Sequence, residues 1–187
     1  MRSPDCRRAA PKNPPNRRQL GEDIMRMQWL IGAALAALGT LPVSAQTVLN
    51  THRLSAMLAH EAVGEAVASC AKQGYHVTAV LLDESGKHQA ILRGDGADIH
   101  TLDSAEMKAY TAVSFRTDTI DLVERAKKGE PPSAIAKDPK MILGQGGVVI
   151  KVGPEVVGAI GVGGGPGNNI DTGCARAGVA KIAERLK

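Results

Sequence analysis

The sequence predicts an α+β domain whose antiparallel sheet is made of two hairpins flanked by helices, in the order α-β-β-α-α-β-β-α, behind an export leader. Three observations carry this expectation. Two pairs of short apolar runs are each joined by a turn signal, which is how antiparallel hairpins read. Segments with helical apolar spacing stand before, between and after those pairs. Hairpins, rather than single strands alternating with helices, also point away from a doubly wound parallel sheet.

The elements follow in chain order. Thr51 to Gln73 places Leu54, Leu58, Ala62, Ala66 and Cys70 on one stripe, joined by Met57, Val63 and Val67, and Gly74 supplies a stop, so one amphipathic helix is expected. Val77 to Leu82, the turn Asp83-Glu84-Ser85-Gly86, and His88 to Arg93 make the first hairpin. Gly94 to Asp98 reads as a loop, and Asp103 with Glu106 as a capping box opening a helix through Met107, Tyr110, Thr111 and Ser114. A short helix from Thr119 to Lys128 ends at Gly129, and Pro131 to Gly147 forms a long irregular loop of the kind that often carries function. Val148 to Val152, Gly153-Pro154, and Val156 to Val162 give the second hairpin, and Asp171 to Leu186 the last helix. Both strand pairs are almost wholly apolar. The sheet therefore needs cover on both faces, one layer of short helices falls short, and a homo-oligomer is expected.

The leader accounts for the charge. Of the 187 residues, the first 45 hold seven basic and three acidic side chains, which leaves the remaining 142 neutral at 16 of each. Trp29 to Leu41 is an apolar and small-residue run after Arg26, followed by Val43-Ser44-Ala45, which predicts a signal peptide cleaved after Ala45 and a periplasmic or secreted domain over residues 46–187. The run is shorter than the roughly 20 apolar residues of a membrane span, so no stable span is expected after cleavage. The long stretch before it makes Met25 or Met27 a natural alternative start. A nucleic-acid partner is excluded: the basic excess leaves with the leader, and only Tyr75, Tyr110 and Phe115 remain as aromatic side chains.

The mature chain keeps Cys70 and Cys174. They either close one long disulfide loop or stay as two separately buried thiols, the latter being the default expectation. No metal-ligand spacing occurs among the five histidines. The glycines at 161, 163, 164, 165 and 167 precede a helix and could cradle an anion, but Pro166 and Asn168 fall where a dinucleotide fingerprint needs glycine; a tight strand-to-helix turn is the plainer reading. There is no G-x-S-x-G elbow. Glu61 and Glu65 read as a solvated helix face, and His60 and His100 as surface or packed histidines.

The second helix is richer. Lys108, Tyr110 and Thr111 put a cation, a phenol and a hydroxyl within one turn, with Arg116 just beyond, a set that could hold an anionic cofactor, although on the residues alone an ordinary helix with its Lys and Arg in water is the plainer reading. The strings Val80 to Lys87, Ala105 to Phe115, Gly146 to Ile150, Val156 to Val162 and Asp171 to Gly178 together resemble the GlcG/HbpS family of haem-binding or haem-degrading domains, over nearly all of residues 51–187. The resemblance implies a profilin-like domain, assembly into homo-oligomers, and haem as the cofactor. It also implies that Thr111 stands at the iron, with Lys108 or Arg116 toward the propionates; Tyr110 competes with Thr111, since phenolate is an established haem ligand. The expected function is an exported haem-binding protein, with haem degradation left open. The alternative is a non-enzymatic accessory or sensor module binding another small molecule on the same fold.

Overall fold

A computed structural model describes residues 51–187, apart from residues 131, 133, 134 and 136 and the side chain of residue 168. The expected leader and its cleavage site lie outside the described residues. The elements are α1 (Ala56–Ala71), β1 (Thr78–Asp83), β2 (His88–Arg93), α2 (His100–Phe115), α3 (Thr119–Lys127), β3 (Gly147–Val152), β4 (Glu155–Gly163) and α4 (Asn168–Ile182), closed by a 3-10 turn, Ala183–Arg185. This is the expected order, with boundaries moved for local reasons. α1 begins late because Ser55 is its N-cap: the Ser55 hydroxyl accepts from the Leu58 N–H, and the described residues before it are not helical, with Leu54 buried in the main core. α2 begins three residues before the expected capping box. Its cap residue, Ile99, makes no side-chain cap bond, and Asp103 sits inside the first turn, where a carboxylate favours the positive end of the helix.

All strand pairs are antiparallel, in the order β2-β1-β4-β3. The two hairpins are therefore joined along β1 and β4, which become the central strands, and this decides which residues are buried. β4 is buried along nearly its whole length and β1 almost as fully, whereas β2 at the edge is half exposed, with Ile91 48% accessible. The expectation of two wholly apolar, doubly covered hairpins holds for the centre and fails at this edge.

Helices cover both faces within one chain. α1 and α4 pack on one side, where Ala62, Val63, Ala66, Leu81, Ile150, Ile160, Ala175 and Ile182 share the main core. α2 lies on the other, against Val80, Leu82 and Ala159. The argument for a second copy from an uncovered sheet face is thus corrected: α2 supplies the second layer. It can lie that close because β4 presents glycine beneath it. A Cβ at Gly161 would overlap the Ala105 carbonyl oxygen, far inside van der Waals contact.

Cys70 of α1 and Cys174 of α4 form a disulfide across 104 residues, with their Cα atoms 5.6 Å apart. The expectation of separate thiols is corrected. Small residues bring the two helices together: a Cβ on Gly178 would stand 2.5 Å from the Ala62 carbonyl, so α4 rests on the α1 backbone and the two sulfurs meet.

Candidate functional site

One helix turn advances 3.6 residues, so side chains on α2 sort into two faces. Ala105, Ala109 and Ala112 are fully buried against the sheet, and Lys108 and Thr111 are buried with them. Asp103, Glu106, Met107 and Tyr110, spaced i, i+3, i+4 and i+7, lie on the other face. Lys108 is committed beneath the helix. Its ammonium donates to Asp171 Oδ2 at 2.6 Å and to the Val162 carbonyl at 3.0 Å, while Asp171 Oδ1 accepts the Gly165 N–H at 2.8 Å. The glycine turn therefore spends one of its amides on an internal carboxylate, in keeping with the strand-to-helix turn expected there.

Thr111 is also committed. Its hydroxyl donates to the Met107 carbonyl at 2.8 Å and accepts the Ile142 N–H at 3.0 Å, and the residue is wholly buried. The second bond ties the long loop onto α2. Just upstream, Asp138 folds that loop on itself, its carboxylate accepting the Lys140 N–H and its carbonyl the Met141 N–H. Pro139 and Lys140 are thereby held over the outward face of α2. With Asp103, Glu106, Met107 and Tyr110 they enclose a groove of about 270 Å³.

Tyr110 lines the groove, and its partly buried ring packs against the Val80, Leu82, Ala105 and Ala109 cluster. One ring edge faces Gly86 of the first hairpin turn, where a Cβ would lie 3.4 Å away, and the Lys140 ammonium stands 5.8 Å from the ring centroid, within cation–π range. Among the described residues the Tyr110 hydroxyl has no hydrogen-bond partner. At the rim, His88 of β2 lies 3.3 Å from the Glu106 carboxylate. The groove thus offers a thioether, an open phenol, a cation and two carboxylates on a partly apolar bed.

Of the four residues expected at the site, only Tyr110 lines the groove. Lys108 and Thr111 lie under α2, and Arg116 is the exposed left-handed C-cap of that helix, with φ 53°. Sequence reasoning misses Asp103, Glu106, Met107, Pro139 and Lys140 as lining residues. The spacing of Met107 to Tyr110 is a signal that could have found it; Lys140 has none, because only the long-range bond through Thr111 brings it there. Glu61 and Glu65 pair with Arg185 and Lys72 on the surface, and His60 and His100 are exposed. Among the described residues no cluster of three His, Cys, Asp or Glu side chains could hold a metal ion, and no helix is long and apolar enough to cross a membrane.

Comparison with known proteins gives the family and the fold. None of the curated proteins matches the chain. Among solved structures, a double mutant of HbpS from Streptomyces reticuli is 33% identical, with a TM-score of 0.66 over 76% of this chain and 97% of that one. A second HbpS structure is 34% identical, with a TM-score of 0.65 over 74% and 97%. A PduOC–haem complex, 23% identical over 70% of this chain and 96% of that one, shares the fold with a TM-score of 0.64. The family described as haem degrading protein HbpS-like matches residues 54–180. On that match and on the HbpS structures, the chain belongs to the HbpS-like haem-degrading family.

Proposed function

We propose that the protein is an exported haem-binding protein that takes haem against the outward face of α2. The observation that carries the reading is the groove of Asp103, Glu106, Met107, Tyr110, Pro139 and Lys140, with its open phenol and its cation, on a chain of a haem-related family. The residues present fit the group in kind. Met107 and Pro139 give apolar contact for a flat macrocycle, and Lys140 offers an ammonium to a propionate. They fit it in part by size. Small-molecule sites span roughly 300–1,000 Å³, so a groove of about 270 Å³ holds one flank of a porphyrin.

Haem would supply the redox-active iron; the chain's part is to bind, orient and shield it. Thr111 acts by position, since its bond to the Ile142 N–H keeps Pro139 and Lys140 over the groove. The rest of the ring needs cover from beyond one chain. Homo-oligomerisation belongs to the proposal for that reason, and exposed Ile99 at the start of α2 and Ile91 on the edge strand offer apolar surface for it. Export is supported by the leader's composition and by the Cys70–Cys174 disulfide, a bond typical of oxidising compartments. Titration of the full chain with ferric hemin tests the reading. Saturable uptake with a Soret shift and a fixed stoichiometry supports it, and uptake that rises without saturation favours an accessory module for another small molecule.

A further inference from the structure

We infer that residues 138–143 form a flap over the outward face of α2, that the groove described above is its closed form, and that it opens by breaking the hydrogen bond between Thr111 and Ile142. Its use as a gate for ligand rests on the haem-binding reading above. The segment is built to move as a unit. The Asp138 carboxylate accepts the Lys140 N–H at 2.9 Å and the Asp138 carbonyl the Met141 N–H at 3.0 Å, so the turn carries its own bonds with it. Among the described residues a single hydrogen bond ties residues 138–143 to the rest of the protein, from the Ile142 N–H to the Thr111 hydroxyl at 3.0 Å. Lys140 adds its ammonium 5.8 Å from the Tyr110 ring centroid, a weak contact where the cation is exposed.

Packing holds the segment little better. Met141 and Ile142 are half-buried, Leu143 is 42% exposed, and Pro139 and Lys140 are exposed. A segment with so little buried apolar surface opens at a small fraction of the cost of global unfolding. Downstream the motion stops at the sheet, where the Gly146 carbonyl accepts the Val162 N–H at 3.0 Å and the Gly147 N–H donates to the Thr119 hydroxyl at 2.9 Å. Gly144 stands between the flap and that anchor, and without a Cβ it turns through a wider range of φ and ψ than any other residue. Lifting the flap takes Pro139 and Lys140 out of the lining and widens a groove that measures about 270 Å³ when shut. A planar ligand larger than the closed groove thereby gains entry.

Native-state hydrogen exchange of the full chain reads the flap without any ligand. Ile142 is expected to be protected roughly a hundredfold less than Val162, and its exchange should be insensitive to low denaturant because opening exposes little surface. Protection of Ile142 equal to that of Val162 would overturn the inference. Gly144→Ala stiffens the hinge: the added Cβ would lie 3.7 Å from Lys108 Cε, an ordinary contact, so the closed form is kept while the open one loses conformers. Exchange at Ile142 should then slow about two- to fivefold. Stopped-flow mixing with ferric hemin reads the gate, since the association rate follows the open fraction when only open molecules accept ligand. The rate should fall about two- to fivefold in Gly144→Ala and rise about tenfold in Thr111→Val, which lacks the hydroxyl that the Ile142 N–H meets. Rates unchanged in both variants would overturn the gate. If wild type takes up no hemin saturably, the haem reading fails, while exchange at Ile142 in wild type and Gly144→Ala still decides the flap.

Discussion

Removing one member of the buried ion pair beneath α2 should cost more than any surface change in this protein. In Asp171→Asn the replacement keeps an oxygen for the Gly165 N–H but leaves the Lys108 ammonium, whose side chain is 6% exposed, facing a neutral amide. The Val162 carbonyl at 3.0 Å is then its remaining hydrogen-bond partner among the described residues. Breaking a buried pair from one side typically costs about 3–5 kcal/mol, because a charge is left without compensation. For a domain of this size each kcal/mol lowers Tm by roughly 3–4 °C, so a fall of about 10–20 °C is expected in calorimetry. The double variant Lys108→Met, Asp171→Asn removes both charges while keeping the apolar stem, and should recover most of the loss. The cost should be nearly the same at low and high salt, since a buried pair is poorly screened. A loss below about 1 kcal/mol for Asp171→Asn, or one that disappears in high salt, would mean the pair behaves as an exposed one and would refute the reasoning.

Two further outcomes follow from other contacts. The Cys70–Cys174 bond closes a loop of 104 residues, for which the chain-entropy treatment gives about 4–5 kcal/mol; Cys70→Ala, Cys174→Ala should lower the denaturant midpoint accordingly without changing the fold, and an unchanged midpoint would contradict the estimate. The Glu61 carboxyl, hydrogen-bonded by Arg185, is held below its ordinary value of 4.5. Its small contribution is fully present above that value and lost as pH falls through the lowered folded-state value. An NMR titration should find the midpoint below 4.5 and see it rise in Arg185→Gln; an unmoved midpoint would remove Arg185 as the cause.

The parts of the fold visible in sequence are the local ones. β1 and β2 carry apolar runs around Asp83-Glu84-Ser85-Gly86, and that signal is enough to pair them. The partnership of β1 with β4 is invisible because it joins segments about eighty residues apart, and it is what leaves Ile91 at an edge while Val80 is buried. The disulfide is hidden for the same reason, depending on two glycine- and alanine-rich helices meeting.

The site is half legible. Lys108, Tyr110 and Thr111 group together because they share a turn, but a turn has faces. Lys108 and Thr111 fall in register with the stripe Ala105, Ala109 and Ala112 that packs on the sheet, whereas Tyr110 falls with Asp103, Glu106 and Met107. That split is readable from spacing alone. The wall formed by Pro139 and Lys140 is not, because a buried hydroxyl reaching the Ile142 N–H leaves no local pattern.

The central claim is that haem binds on the outward face of α2, and the most direct measurement is to locate it there. Ferric iron broadens the NMR signals of nearby nuclei, so a hemin titration of isotope-labelled protein reports both stoichiometry and place. Saturation with selective broadening at Glu106, Met107, Tyr110 and Lys140 is the predicted result. Saturation with broadening confined to other elements, or none that saturates, would contradict it.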